Sequence, residues 1–288
     1  MKLCLFDAHR IGIVLNQHVV DVTDVFQDVA RPAWPYPLSD LVIQHFPALR
    51  DKVLAAAEAG RRIPLASVRL RAPVANPGKI IGAPINYRDH IDEANADAQI
   101  NHGKTYTELD KFGLFLKASS SLIGCNEEIV IPFPDRRTDH EVELAVVIGR
   151  QGKRIRREDA LDHVFGYCIG LDMTVRGPEF PGFRKSADTF DVLGPWIVTA
   201  DEIADSNALD LSIRVNGELR QQSNTRYLIY NVQRLIEYAS ATYTLYPGDV
   251  IMTGTPAGVG PVTFGDVLDA TVEGVGSMTV RVAGQGAA

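Results

Sequence analysis

The sequence predicts a β-rich α+β protein: a mixed sheet with peripheral helices, preceded by a small N-terminal domain. Three observations lead to that class. Short apolar and β-branched runs crowd the chain from about residue 79 onward, with few helical patterns between them. Strands and helices do not alternate, as a doubly wound parallel sheet would require. Between the first elements and the rest lies "RLRAPVANPGKI", whose two prolines and Gly-Lys step mark a connection at about residues 70–78. The expected domains are residues 1–72 and 73–288.

In chain order, "LCLFD", "IGIVL" and "HVVDVT" read as short strands, and "LSDLVIQHFPALRDKVLAAAEAG" follows with helical periodicity interrupted at Pro47. The later strand runs are "KIIGAP", "LFLKAS", "EIVIP", "VELAVVIG", "FGYCIGLDMT", "LSIRVNGEL", "DVIMTGT", "DVLDATVEG" and "SMTVRVAG". Asn216-Gly217 between "LSIRV" and "ELRQQ" is a hairpin signal, because both residues tolerate the positive φ of a tight turn. The helical pieces are "NYRDHIDEANAD", "EDAL" and "NVQRLIEYASAT", and the end, "GQGAA", reads as a flexible tail.

Composition removes several function classes. The 288 residues are 45% hydrophobic and 23% charged, an ordinary globular balance able to bury a sizeable core. A net charge of −7 with no basic stripe argues against a nucleic-acid partner. Cys4, Cys125 and Cys168 form no C-x-x-C pair, so neither a disulfide framework nor a thiolate zinc site is indicated. No apolar run approaches the ~18–20 residues of a membrane span. The start, "MKLCLFDAHR", reaches Asp7 too soon for a signal-peptide core, and a cytoplasmic location is expected.

Chemistry concentrates in a few stretches. In "DHEVELAVVIGR" Glu141 and Glu143 interrupt an apolar strand two residues apart, so both point to one face, roughly 6–7 Å apart. An exposed edge strand would be the readier explanation of the pair alone, were it not for Asp172 late in the next apolar run, "FGYCIGLDMTVRG". Three carboxylates on buried strands repel one another unless a cation sits among them. Oxygen ligands alone select Mg²⁺, Mn²⁺ or Ca²⁺ over zinc.

His90 and Glu93, at i and i+3 of a helix beginning near Tyr87, share a face; a carboxylate beside an imidazole favours a general base acting on water. A solvated helix face is the bland alternative for such a pair. Lys185, after the loop "RGPEFPGF", could stabilise an oxyanion near a metal, or be an exposed loop lysine. Gly254-Thr255-Pro256 in "PGDVIMTGTPAGVGP" forms a tight loop able to cradle a carboxylate, and it lacks the Gly-Lys-Ser/Thr of a Walker loop. The polar segment "ANADAQINHGKTYTELDKFG" is long enough to be a lid that orders on substrate binding.

Taken in order, "INYRDHIDE", "FLKASSSLIG", "DHEVELAVVIG", "GLDMTVRG", "KSADTFDVLGPW", "VNGELRQQSNTRYLIYNVQRLIEYAS" and "LYPGDVIMTGTPAGVGPV" resemble the fumarylacetoacetate hydrolase family from about Lys79 to Val282. The resemblance implies a β-roll or sandwich of the fumarylacetoacetase C-terminal type. It implies Glu141, Glu143 and Asp172 as ligands of Mg²⁺, with Mn²⁺ or Ca²⁺ as substitutes, and His90 and Glu93 as the water-activating pair. Lys185 becomes the oxyanion contact, Gly254 and Thr255 the carboxylate site, and Lys117 and Arg176 further substrate-binding residues near the centre.

The implied reaction is hydrolytic C–C cleavage of a 2,4-diketo acid, an acylpyruvate such as fumarylpyruvate or maleylpyruvate, by a homodimer. Decarboxylation, isomerisation or hydration of a 2-oxo acid such as oxaloacetate at the same site is the alternative. By the same resemblance, the first 70 or so residues are the small extra domain of longer bacterial members. The chain departs from acylpyruvate-cleaving relatives at Ala118 (Pro in many), at Ala187 (Phe in "KSFDT") and through "RGPEFPGFRK", all bearing on the substrate pocket.

Overall fold

A computed structural model describes residues 1–29 and 38–284; the "GQGAA" tail lies outside the described residues from 285 onward. Among the described residues the strands form three sheets. The largest runs from Arg62–Pro64 through His18–Asp21, Arg10–Leu15, Lys2–Phe6, Asp191–Thr199, Val164–Asp172, Val142–Ile148, Val250–Met252 and Ile80–Gly82 to Phe115–Lys117. Most neighbours are antiparallel. Val250–Met252 lies parallel to Ile80–Gly82, and Leu122–Gly124 parallel to the start of Asp191–Thr199, so the sheet is mixed, as expected.

Side-chain alternation along Val142–Ile148 sets the layers. Val142, Leu144, Val146 and Ile148 share a core with Leu211, Ile213, Leu268 and Val280 of a second, five-stranded sheet. Ala145 and Val147 face the other way, into a cluster with Ile43, Phe46 and Val53 of the helix Leu41–Ala59. The strand is therefore covered on both faces, which is why it reads as a continuous apolar run. Each such side chain stabilises the fold by ~1.5–3 kcal/mol, enough together to hold two carboxylates at the head of the strand.

Some elements differ from the sequence reading. The helix Leu41–Ala59 continues through Pro47. Its buried Ile43, Phe46, Val53 and Ala57 flank the proline on both sides, and their burial offsets its cost of ~3 kcal/mol. Asp40 starts this helix by accepting from the backbone N–H of Val42 and Ile43 at 3.0 and 3.1 Å. "EDAL" lies within a 3₁₀ run, Arg157–His163. The strand Asp191–Thr199, central in the sheet, is absent from the apolar runs the sequence marks. Lys2–Phe6 pairs with it, Leu3 opposite Ile197, so the N-terminal strands extend the same sheet. Among the described residues no helix is long and apolar enough to cross a membrane.

Candidate active site and metal centre

Glu141 joins the strands Thr138–His140 and Val142–Ile148, Glu143 lies two residues on, and Asp172 ends Val164–Asp172. Antiparallel pairing places Val142 opposite Leu171, and the Asp172 N–H donates to the Glu141 carbonyl at 2.9 Å. The register thus gathers all three side chains. One oxygen from each lies within 4.8 Å of the others, and all three residues are buried.

Three anions so placed cannot share a dry site without positive charge. Burial, then the neighbouring Asp172, push the Glu143 carboxyl well above its ordinary range. Burial acts on Glu141 in the same sense, but the Lys185 ammonium and Arg176 guanidinium outweigh it and hold that carboxyl below the usual range. Lys185 Nζ donates to Glu141 Oε2 at 2.7 Å, Asp172 Oδ2 at 2.6 Å and Thr174 Oγ1 at 2.7 Å. The cluster therefore already holds a cation against its oxygens. Buried carboxylates offering only oxygen fit a hard divalent ion, Mg²⁺, Mn²⁺ or Ca²⁺, better than zinc.

Lys117 and Arg176, both expected as substrate contacts, pair with the carboxylates instead; Arg176 lines the cavity and Lys117 is not part of its lining. Lys117 Nζ bonds Asp172 and reaches Asp191 Oδ1 at 2.9 Å. Arg176 donates to Asp139 Oδ2 at 2.7 Å and to Glu141 Oε1 at 2.9 Å. Asp139 and Asp191, which the sequence reading passed over, are the counter-charges that let these two cations be buried.

The second group is placed by the turn after Ile80–Gly82. Asn86 donates to the carbonyls of Tyr230 and Thr253 at 2.9 and 2.8 Å, fixing the start of the helix Arg88–Ala96. On that helix His90 is buried, and its Nδ1 lies 2.8 Å from Glu93 Oε2. The other Glu93 oxygen accepts the Gly258 N–H at 2.8 Å. An ionised carboxylate only accepts, so Nδ1 carries the hydrogen and Nε2 is left free to take a proton.

One loop ties these groups together. The Gly254 N–H donates to Glu143 Oε2 at 2.6 Å, and the Thr255 hydroxyl to the Val142 carbonyl at 2.8 Å. Gly254 has φ +97, and a Cβ there would stand 2.7 Å from Asn86 Cβ, so only glycine allows this approach. Both donors are thus engaged with the protein's own groups, although Thr255 still lines the cavity. Gln221, also unremarked in the sequence, donates to Thr255 Oγ1 at 2.8 Å and the Pro256 carbonyl at 2.7 Å, and accepts the Val142 N–H at 3.1 Å. Gln221 is the one buried residue among exposed neighbours in "ELRQQ", a difference the residue types themselves do not display.

His90, Glu141, Glu143 and Lys185 line one cavity of about 600 Å³. The segment read as a lid contributes Ile100, Tyr106 and Phe112 to its wall. Ile100 packs with Ala94 and Val259, and the Tyr106 and Phe112 rings lie 5.2 Å apart, so this polar segment has apolar anchors of its own.

A strand-rich mixed sheet that brings two members of a buried three-carboxylate cluster and an oriented imidazole to one cavity defines a class of metal-assisted enzymes acting on oxygen-rich small acids. Residues 79–283 match the Fumarylacetoacetate (FAA) hydrolase C-terminal family, and the chain belongs to that family. It is 50% identical over 284 residues to the maleylpyruvate hydrolase of Aquipseudomonas alcaligenes, covering 98% of this chain and 99% of that one. The crystal structure of maleylpyruvate hydrolase from Sphingobium sp. SYK-6 in complex with manganese (II) ion and pyruvate matches with a TM-score of 0.85 and 41% identity, over 99% of this chain and 100% of that one. The mitochondrial oxaloacetate tautomerase Fahd2a of Rattus norvegicus is 38% identical over 232 residues, 76% of this chain and 71% of that one.

Proposed function

We propose that the protein is a divalent-metal-dependent hydrolase that cleaves the carbon–carbon bond of an acylpyruvate, with maleylpyruvate and fumarylpyruvate as the leading substrates. The observation that carries this reading is the Glu93-oriented His90 in the same cavity as Glu141 and Glu143. The full-length similarity to maleylpyruvate hydrolases supports it. We read residues 1–72 as a small N-terminal domain, whose first strand pairs with Asp191–Thr199 of the shared sheet.

Mg²⁺, or Mn²⁺ in its place, held by Glu141, Glu143 and Asp172, supplies a Lewis acid for the 2-oxo acid end of the substrate. Arg176 and Lys117 keep Glu141 and Asp172 in position to hold it. His90 Nε2 takes a proton from water as the water oxygen adds to the distal carbonyl carbon. The bond between that carbon and the central methylene then breaks. Its electron pair passes to the pyruvate fragment as an enolate, whose charge the Lys185 ammonium offsets. The proton held on His90 returns to that fragment, so one acylpyruvate and one water give one carboxylic acid and pyruvate.

The oxaloacetate tautomerase relative favours a second reading, keto–enol exchange in the same cavity without water addition. The deciding experiment incubates Mg²⁺- or Mn²⁺-loaded protein with maleylpyruvate, fumarylpyruvate and oxaloacetate, following enol absorbance and pyruvate together. Stoichiometric pyruvate from a diketo acid is expected. Enol loss from oxaloacetate with no pyruvate from either acylpyruvate would overturn hydrolysis in favour of tautomerisation.

A further inference from the structure

Four lysine and arginine side chains are buried among the described residues: Lys117, Arg176, Arg184 and Lys185. Three of them face carboxylates, Lys117 with Asp172 and Asp191, Arg176 with Asp139 and Glu141, Lys185 with Glu141 and Asp172. Arg184 faces none. Only 7% exposed, it donates through Nε to the Glu179 backbone carbonyl at 2.8 Å, while Nη1 is buried without an acceptor. The Glu179 carboxylate is taken by Arg136, at 2.8 and 3.0 Å. Burial, then the Arg176 charge, hold the Arg184 guanidinium below its ordinary pKa. An unpaired buried charge is costly, and a ligand that brings the missing anion recovers that cost on binding.

Arg184 lines the catalytic cavity. It ends the short helix Pro181–Arg184, in a wall shared with Phe180 and Gly182. The Lys185 ammonium, also at this cavity, is held by the Glu141 and Asp172 carboxylates. Arg184 makes no ion pair with those carboxylates, and Lys104 and Lys111 stand at the same cavity. Five cationic side chains thus line the cavity, Lys104, Lys111, Arg176, Arg184 and Lys185, against the carboxylates of Glu141 and Glu143, in a chain of net charge −7. The local excess suits a ligand with more than one negative charge.

We propose that Arg184 receives a carboxylate at the far end of the acyl arm and so makes the enzyme selective for dicarboxylic acylpyruvates over those with a neutral arm. The proposal rests on the acylpyruvate reading and specifies its substrate class. Arg184 is then a specificity residue: it grips the arm and takes no part in proton transfer. The guanidinium suits this task because its planar nitrogens can meet both oxygens of a carboxylate.

The test needs no turnover. Calorimetry on Mn²⁺-loaded protein compares 2-oxoheptanedioate with 2-oxoheptanoate, which have equal chain length and differ only in the terminal carboxylate. Wild type is expected to bind the diacid ~10–100-fold tighter, the range for a hydrogen bond to a charged group. In Arg184→Gln the ratio of the two affinities should fall to within about threefold, with Arg184→Lys between, because an ammonium keeps charge but not the fork. A wild-type ratio under about threefold, or an unchanged ratio in Arg184→Gln, overturns the proposal. Should a variant misfold, a crystal structure of the wild type with Mn²⁺ and 2-oxoheptanedioate decides alone. A terminal carboxylate on the Arg184 guanidinium supports the assignment, and one on Lys104, on Lys111 or in solvent refutes it. Failure of wild type to hydrolyse either acylpyruvate would defeat the hydrolase reading separately, leaving the binding ratio to be judged by itself.

Discussion

Replacing Glu93 by Gln asks the most of the proposed chemistry, because it changes two hydrogen bonds while keeping the side chain's shape. Glu93 accepts from His90 Nδ1 through one oxygen and from the Gly258 N–H through the other, both at 2.8 Å. Glutamine offers one acceptor and one donor to these two positions. If its oxygen stays on Gly258, its amide N–H₂ faces Nδ1, which must then become the acceptor. The hydrogen moves to Nε2, and the imidazole can no longer take a proton from water. If the amide flips, the imidazole keeps its useful tautomer, but the Gly258 N–H faces another donor. Leaving that N–H unsatisfied costs ~1–3 kcal/mol, so the competent orientation is reduced to roughly a fifth to one in 150 of the molecules. The expected loss in kcat is ~5–150-fold, smaller than the loss from His90→Ala, which removes the base altogether and should cost ~10²–10⁴-fold. Stopped-flow decay of acylpyruvate enol absorbance gives kcat and KM, and calorimetry with Mn²⁺ and oxalate reports whether the metal site is intact. A Glu93→Gln enzyme within about threefold of wild-type kcat would refute the tautomer argument. So would a large loss accompanied by lost metal affinity, which would mark Glu93 as a structural residue.

Alanine at Glu141, Glu143 or Asp172 should weaken Mn²⁺ binding by more than the ~10–100-fold typical of outer-shell changes; titration showing wild-type affinity in any one removes that residue from the ligand set. Asp40→Ala should lower stability by ~1 kcal/mol in urea unfolding through loss of the helix cap, and an unchanged midpoint would show that the cap contributes nothing. Amide exchange over residues 98–108 should be fast in the free protein and slow with Mn²⁺ and oxalate bound, since Ile100 is anchored only in a small satellite cluster. Equal exchange in both states would end the description of this segment as a lid.

The carboxylate cluster was legible because it violates a local rule: acids on an apolar strand need a reason, and strand periodicity says which of them share a face. The spacing of His90 and Glu93 likewise contains its geometry. What escaped notice depended on partners distant in sequence. Gly194-Pro195 reads as a strand breaker, yet the strand Asp191–Thr199 passes through it. Residues 191–193 pair with Leu122–Gly124 on one side, and residues 197 and 198 with Lys2–Phe6, so Pro195 falls where the edge partner changes. On the other side it sits within the register shift between Tyr167 and Ile169. At such a gap the missing N–H breaks no ladder bond. The cradle expected of Gly254 and Thr255 follows from loop composition alone. Their actual acceptors, Glu143 and the Val142 carbonyl, belong to a strand more than 100 residues earlier in the chain. Gln221 and Arg184 were silent because a lone polar residue in a polar stretch carries no pattern.

The loop from Thr253 to Gly258 fastens to the Leu144 carbonyl, the Glu143 carboxylate, the Val142 carbonyl and the Glu93 carboxylate. The wall around Arg184 hangs instead from Glu179, itself gripped by Arg136. On the proposed reading, substrate choice and proton transfer therefore hang from different anchors, which meet where Arg184 passes into Lys185, whose N–H donates to the Pro181 carbonyl at 2.9 Å. A directed-evolution library at Phe180, Gly182, Phe183 and Arg184 would resculpt the accepted arm while keeping Pro181, the acceptor of the Lys185 N–H. Diversity placed in the loop would disturb Glu143 and Glu93 in a single stroke.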